Sequence, residues 1–179
     1  MVGSLDSHDN TARYFCAHAR VAVLSVDYPL APEHPFPTPL NAVGDVLHSV
    51  LQGEVEGVDN DHVAIAGDSA GANLAAGACI QSAILGRRQP CLQMLFVPAT
   101  NVRDFNTKSH YEFAEGHYLT AKQIPWFRDA YVPITADREN PLASPLLAPT
   151  SLLKQVAPAY IAVAGHDPLR DEGEAYAHD

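Results

Sequence analysis

The sequence predicts an α/β fold, with a mostly parallel sheet and helices on both faces. Short apolar runs that suit buried parallel strands alternate with segments of helical spacing along the whole chain. In the centre, the apolar run 63–66 leads through Gly67-Asp68-Ser69-Ala70-Gly71 into a helix-favouring segment that extends to Leu85. These two observations indicate one complete strand–turn–helix unit inside a repeating pattern of the same kind.

The other elements follow from apolar periodicity and from the positions of Gly and Pro. Buried strands are predicted at 21–28, 62–66, 92–97 and 159–164. Helices are predicted at 7–20, 38–53, 70–85, 120–131, 151–156 and 169–178. Asp6 or Ser7 is expected to cap the first helix, and the second is expected to have Thr38 as N-cap and Pro39 at its first position. Residues 27–37 carry too many prolines for the interior of a helix or strand.

The turn between the central strand and helix has the spacing Gly-x-Ser-x-Gly, which is typical of a nucleophile elbow. A serine on so sharp a turn is held in a strained backbone conformation and is pushed clear of the sheet. Gly67 and Gly71 are expected to be required, because a Cβ at either position would collide as strand and helix close together. The helix start places a positive dipole end beside Ser69, and the Ala70 N–H can point at a developing oxyanion. A Gly-rich turn without chemistry is the alternative interpretation.

Composition and charge limit the classes of function. The 179 residues, 47% hydrophobic and 18% charged, suit one globular domain. The net charge of −10 argues against nucleic acid or an anionic membrane as partner, and no apolar run is long enough to span a membrane. Cys16, Cys79 and Cys91 have neither a disulfide nor a zinc pattern, which favours a reducing compartment such as the cytoplasm. No metal or cofactor is expected.

Several segments, in the right order, resemble the bacterial hormone-sensitive-lipase-like esterases. The stretch Gly67-Asp68-Ser69-Ala70-Gly71-Ala72-Asn73-Leu74-Ala75 closely resembles their nucleophile elbow. Residues 27–37 resemble their Asp-Tyr-Arg-Leu-Ala-Pro-Glu-His-Pro-Phe-Pro signature, with Pro29 in place of the usual Arg. The stretch Gly3-Ser4-Leu5-Asp6 looks like the segment that follows the His-Gly-Gly-Gly motif of the family.

The resemblance continues through the second half of the chain. Residues 109–116, with Trp126-Phe127, resemble the cap segment of the family. Asp167-Pro168-Leu169-Arg170-Asp171-Glu172-Gly173 looks like the loop that carries the catalytic acid. The resemblance therefore implies a single, partial α/β-hydrolase domain over 1–179, in which 100–135 form part of the cap region.

The resemblance also implies an activity, the hydrolysis of short-chain carboxylic esters, with a small-molecule ester as substrate. Ser69 would be the nucleophile that forms an acyl-enzyme, Ala70 would supply an oxyanion-hole N–H, and Asp167 would orient a histidine. Ser before Asp is the chain order of hydrolase triads. Alternatively, Asp167 is a loop aspartate that caps the helix after Pro168.

Several neighbouring residues are interpreted as structural. Asp68 is expected to brace the elbow. Asp171 and Glu172 are expected to be first-turn acids that the helix dipole favours. His8 and His18 are interpreted as surface or edge residues of the first helix.

Two parts of the family pattern are missing from the sequence. It contains no Gly-Gly-Gly stretch, and the only histidine after Asp167 is His178, about 12 Å away at the far end of a helix. The resemblance also places one strand before Met1, between the strands at 21–28 and 62–66, and a last strand after the chain ends. We therefore expect a chain truncated at both ends and inactive on its own, whose unpaired sheet edges permit oligomerisation. The sequence does not decide whether a signal peptide precedes Met1.

Two other interpretations of the missing histidine also stay open. A non-catalytic ligand-binding relative, like the plant gibberellin receptors that resemble this family, would keep the elbow serine and lack the histidine. A split enzyme would take the absent strands from a second polypeptide. The sequence on either side of this reading frame would distinguish these interpretations.

Overall fold

A computed structural model describes residues 2–178; Met1 and Asp179, and the expectations about what lies beyond them, are outside the described residues. Short 3-10 helices occupy Thr135–Glu139 and Pro145–Leu147. The strands are β1 (Ala64–Asp68), β2 (Leu92–Phe96) and β3 (Ala159–Ala162). The α-helices are α1 (Leu5–Ala19), α2 (Thr38–Leu51), α3 (Ala70–Ile84), α4 (Lys108–Glu112), α5 (Gln123–Tyr131), α6 (Thr150–Leu153) and α7 (Arg170–His178). No helix within 2–178 is long and apolar enough to cross a membrane.

The three strands form one parallel sheet in the order β1-β2-β3. Ala66 pairs with Met94 across the first ladder, and Phe96 pairs with Ala162 across the second. Parallel strands need long crossovers, which α3 and the segment from 97 to 158 provide. The prediction of a mostly parallel α/β sheet is confirmed for these three strands.

Helices lie on both faces of the sheet, and the deeper core lies on the α3 face. Leu95 of β2 is fully buried beside the small residues of α3 and Tyr176 of α7. A second cluster joins α2, α3 and the end of α5 around Leu40 and Leu74. Side chains of a strand alternate between faces, so Phe96 points to the opposite side from Leu95, where its ring meets Phe15 of α1 at 6.2 Å between centroids.

The strand predicted at 21–28 is absent from the structure. Residues 20–30 have no assigned secondary structure, although Val26 and Tyr28 pack against the core near Ile65. A strand exists only where a neighbour takes its backbone hydrogen bonds, and the described part of the chain places no strand beside this segment. A β-branched sequence alone therefore does not make this segment a strand. Without a neighbouring strand, Val21 and Leu24 are exposed.

Two predicted helix caps also differ from the structure. Ser4, and not Asp6 or Ser7, caps α1, and it exchanges hydrogen bonds with Ser7 in a capping box. Pro37, and not Thr38, is the N-cap of α2 and makes no side-chain cap, so Thr38 is the first helical residue and Pro39 the second.

Glu172 is a buried carboxyl group that joins α7 to the loop after β2. Its side chain is 3% exposed. Its Oε1 accepts hydrogen bonds from the Thr100 N–H at 2.7 Å and the Asn101 N–H at 3.1 Å, and its backbone carbonyl accepts one from the Thr100 hydroxyl at 2.9 Å. Glu172 lies in the first turn of α7 as the sequence predicts, but the sequence does not show that its carboxyl group is buried. Burial raises the pKa of this carboxyl group to about 8, although the two N–H donors act in the opposite direction.

We expect Glu172→Gln to remove a part of the pH dependence of stability. The folded chain holds a proton on Glu172 up to about pH 8, whereas the unfolded chain releases it near the ordinary value of 4.5. The contribution of Glu172 to the free energy of unfolding is therefore constant below pH 4.5 and falls by a few kcal/mol as the pH rises to 8. The glutamine keeps an acceptor for both N–H groups and does not titrate. Chemical denaturation between pH 4.5 and 8.5 measures the difference.

The matched control is Glu174→Gln, on the exposed side of the same helix. It should follow the original chain at every pH. A Glu172→Gln variant that keeps the same slope of stability against pH would contradict a proton on this carboxyl group.

Candidate active site

Ser69 occupies the sharp turn between β1 and α3 with an unusual backbone conformation. Its φ and ψ are 52° and −112°, in the region that glycine adopts freely and other residues avoid. The backbone is held from both sides: the Ser69 N–H donates to the Phe96 carbonyl at 2.9 Å, and the Ser69 carbonyl accepts from the Asn73 N–H at 3.1 Å. The turn has the strained geometry that the sequence predicts for this serine.

The two glycines of the turn differ in what they permit. A Cβ on Gly67 would overlap the carbonyl group of Gly71 and lie 2.7 Å from the backbone nitrogen of Ala72. A Cβ on Gly71 would meet only the Asp68 Oδ1, at 4.0 Å, which is an ordinary contact. The expectation that both positions require glycine is therefore right for Gly67 and wrong for Gly71, because the crowding lies where strand β1 meets the helix backbone.

A cavity of about 150 Å³ lies beside Ser69. Ser69 and Ala70 form part of its wall. Most other lining side chains are apolar and come from the 28–39 segment and from residues 99–131, among them Tyr28, Phe105, Ile124, Phe127 and Tyr131. Residues of the region predicted as part of a cap thus contribute to the wall of this cavity.

Ala70 is the first residue of α3, so its N–H has no acceptor inside the helix. The same N–H group lies at the positive end of the helix dipole. Ser69 cannot supply a second donor from its own backbone, since its N–H is already bonded to Phe96. Ala70 is therefore the backbone donor that the elbow leaves available.

Asp167 follows β3 and lies at the same edge of the sheet as Ser69, because the carboxyl ends of parallel strands meet there. β1 and β3 are separated by β2, about 10 Å apart. The Oδ1 atom of Asp167 accepts a hydrogen bond from the Leu169 N–H at 2.9 Å. The capping interaction that was the alternative interpretation is present, and it leaves the second carboxylate oxygen without a hydrogen bond in the described residues.

No histidine of residues 2–178 donates to Asp167 or bonds to the Ser69 hydroxyl. His166 turns away from Asp167 and packs against the Phe113 ring at 5.3 Å, with His117 at 6.0 Å. The remaining ones are engaged elsewhere or lie apart, for example His62 on Asp59 at 2.8 Å. The described residues therefore contain a serine and an acid but no base between them.

The contact between His8 and the elbow was not predicted. The His8 Nε2 atom lies 3.3 Å from the Asp68 Oδ1, so α1 touches the residue immediately before Ser69. The other ring nitrogen of His8 faces the Ser7 hydroxyl at 2.9 Å. Sequence periodicity places His8 correctly on the helix surface, but it does not show which surface the sheet approaches.

Within residues 2–178, no group of three or more His, Cys, Asp or Glu side chains is arranged to hold a metal ion.

The comparison with protein families decides which fold family this arrangement belongs to. A family model described as alpha/beta hydrolase fold matches residues 1–179. The chain belongs to that family. The parallel sheet with helices on both faces is thus that of an α/β hydrolase.

Several curated proteins to which the chain is similar are named as ester hydrolases. The carboxylic ester hydrolase LipN of Mycobacterium tuberculosis is 43% identical over 188 residues, covering 98% of this chain and 48% of LipN. The ethyl acetate hydrolase of Pseudomonas putida is 37% identical over 184 residues, covering 99% of this chain and 55% of that protein. The chain therefore spans about half the length of the curated relatives it matches.

Solved structures of esterases have the same fold. Carboxyl esterase 2 from Tuber melanosporum superposes with a TM-score of 0.96 at 28% identity, over 99% of this chain and 59% of that one. A fungal esterase from Rhizomucor miehei gives a TM-score of 0.94 at 40% identity, over 99% of this chain and 55% of that one. The described α/β arrangement is therefore that of esterases over nearly its whole length.

We expect Gly67→Ala to destabilise the fold and Gly71→Ala not to. The new Cβ at 67 meets backbone atoms that cannot move independently of β1 and α3, so the free energy of unfolding should fall by about 3 kcal/mol or more. Gly71 lies in the first turn of α3 with space around it, so alanine should be neutral or stabilise by up to about 1 kcal/mol. Urea denaturation of both variants checks this. Equal losses at the two positions would show that the crowding has been misplaced.

Proposed function

We propose that the protein carrying these 179 residues is a carboxylesterase that hydrolyses short-chain esters through a serine acyl-enzyme. Ser69 is the nucleophile, Ala70 supplies one oxyanion-hole N–H, and Asp167 orients the histidine that accepts the serine proton. Residues 100–135 act as part of the cap over the substrate. The observation that carries this proposal is the strained backbone of Ser69, held at the wall of an apolar cavity.

The geometry of the turn supports acyl transfer in two ways. The Ser69 backbone conformation sets the side chain on a turn where its hydroxyl meets no hydrogen-bonding partner in the described residues and is free to react. A tetrahedral oxyanion that forms there would lie at the N-terminus of α3, where the Ala70 N–H and the helix dipole favour negative charge. Loss of one such donor typically slows acyl transfer by about 10²–10³.

The size of the cavity supports a short acyl or alcohol group. Apolar cavities of about 150 Å³ hold a ligand the size of benzene. The relatives include a protein named ethyl acetate hydrolase, which agrees with a small substrate.

The position of Asp167 supports its role as the triad acid. It follows β3 at the reacting edge of the sheet, and its capping bond to Leu169 fixes the carboxylate while one oxygen remains for an imidazole N–H. The histidine itself does not lie at this place in residues 2–178. For this reason we expect residues 1–179 alone to hydrolyse p-nitrophenyl butyrate little or not at all.

We expect Ser69→Ala in the complete protein to abolish acyl-enzyme formation. With p-nitrophenyl butyrate, the original protein should release a burst of p-nitrophenolate equal to the enzyme concentration when deacylation is slow, and the variant should release none. Ser151→Ala, at an exposed position of α6, is the matched control and should keep the burst. A burst that survives in Ser69→Ala would assign the nucleophile elsewhere. A protein that binds esters without any turnover would favour the ligand-binding alternative.

We expect Asp167→Asn in the complete protein to lower turnover by roughly 10⁴, because the histidine would adopt the wrong tautomer. Asparagine keeps an Oδ1 acceptor for the Leu169 N–H, so the melting temperature should change little. Steady-state kinetics and thermal melting of the same preparation check both. A variant that keeps most of its turnover would place the acid elsewhere, with Asp171 as the next candidate.

A further inference from the structure

Arg128 is the only charged side chain among the described residues that line the cavity beside Ser69. It projects from α5, and its side chain is 18% exposed. The guanidinium carbon lies 5.0 Å above the Phe105 ring, which lines the same cavity. Burying a cation in an apolar wall is unfavourable unless an anion or hydrogen-bond acceptors pair with it. The groups that pair with Arg128 therefore determine whether it can also bind an anionic ligand.

The compensation that the chain supplies to Arg128 is incomplete. Its Nε donates to the Asp129 Oδ1 at 2.8 Å. The same oxygen also accepts from the Arg138 Nη2 at 3.0 Å, so two guanidinium groups share one carboxylate. Asp129 is 56% exposed, which weakens its attraction further through solvent screening. A surplus of one positive charge remains at this place.

The donor groups of Arg128 are also incompletely used. Within residues 2–178, no hydrogen bond or ion pair engages its Nη1 or Nη2 atoms. Four N–H donors of a planar fork are therefore available, and this fork matches the two oxygens of a carboxylate. The fork is already oriented, since Asp129 and the Phe105 ring hold the guanidinium from two sides. Little side-chain entropy would then be lost on binding.

The overall charge of the chain makes this local positive site informative. At a net charge of −10 the protein repels anions in general, so an anionic group would not enter the cavity without a local cation. A neutral ester needs no guanidinium in its pocket. A carboxylate-bearing ester uses both the apolar wall and the free fork.

We propose that Arg128 is a specificity-determining residue that binds a carboxylate on the non-reacting end of the substrate. The substrate class is then a short ester with a free carboxylate, such as the half-ester of a small dicarboxylic acid. This inference rests on the proposed function, because it takes the cavity beside Ser69 as the substrate site. The reaction at the ester carbonyl is unchanged, and Arg128 acts only on the affinity for the substrate.

The test measures binding to the complete protein with Ser69→Ala, so that no turnover is required. The ligands are monoethyl succinate and ethyl 4-methylpentanoate, which have similar shape and differ in the terminal carboxylate. NMR titration at pH 8 gives both dissociation constants with Arg128 present and with Arg128→Gln. We expect Arg128→Gln to raise the dissociation constant of monoethyl succinate by roughly 10- to 100-fold, because a charge-assisted bidentate contact is lost. The dissociation constant of ethyl 4-methylpentanoate should change by less than about twofold.

Arg138→Lys is the matched control, because it keeps the second positive charge beside Asp129, and Arg138 does not line the cavity. It should change neither constant by more than about twofold. If Arg128→Gln does not fold, Arg128→Lys replaces it, with a smaller expected loss of about three- to tenfold for the half-ester alone.

Three results would overturn the proposal. In the first, the Arg128 change weakens the binding of both ligands equally. In the second, the Arg138 change weakens the binding of the half-ester as much as the Arg128 change does. In the third, the half-ester does not bind to the chain that keeps Arg128. These results are independent of Ser69 acylation in the complete protein. A half-ester site that depends on Arg128 can therefore stand if the esterase proposal fails, and the esterase proposal can stand without this site.

Discussion

The close approach of β1 and α3 at Gly67 is the constraint on which the rest of the site depends. Only a residue without a side chain lets the strand backbone reach the carbonyl of Gly71, and that approach leaves the intervening Ser69 with a positive φ and a ψ of −112°. Such a conformation costs about 1–3 kcal/mol and persists only because the surrounding hydrogen bonds over-determine it. The strain places a hydroxyl and a helix N–H beside the same cavity, so backbone packing generates the chemistry of the turn.

A second constraint keeps the carboxyl edge of the sheet in register. Ser69 follows β1, and its N–H is tied to the end of β2 through the Phe96 carbonyl. The loop after β2 is in turn tied to α7 by the buried Glu172, and α7 begins just after Asp167. Because the buried carboxyl group has no water to replace these hydrogen bonds, separating α7 from the loop after β2 would leave it unpaired. The two segments therefore hold a fixed position relative to each other. The serine and the acid are therefore positioned by one connected set of contacts.

Local patterns predicted the parts of the fold that local interactions determine. The run 63–66, the helix after Ser69 and their sharp connection depend on neighbouring residues, and the structure places each of them as expected. The strand at 21–28 depends on a distant neighbour, and its β-branched sequence could not show that the described chain brings none. The positions of two polar residues also depend on tertiary packing that local patterns do not show. The burial of Glu172 is visible only in retrospect, from its helical spacing to Tyr176, and the position of Arg128 in the cavity wall depends on how α5 packs.

The strain at Ser69 is tested most directly by comparing the stabilities of Ser69→Gly and Ser69→Ala in the 179-residue chain. Both changes remove the same hydroxyl, which has no hydrogen-bonding partner in residues 2–178, so the difference reports the backbone conformation. At an ordinary position glycine is the less stable of the two by roughly 0.5–1 kcal/mol. At φ 52° and ψ −112° we expect the order to reverse, with the glycine variant more stable by about 1–3 kcal/mol in urea denaturation. An alanine variant that is as stable as glycine, or more stable, would show that the turn does not hold Ser69 under strain.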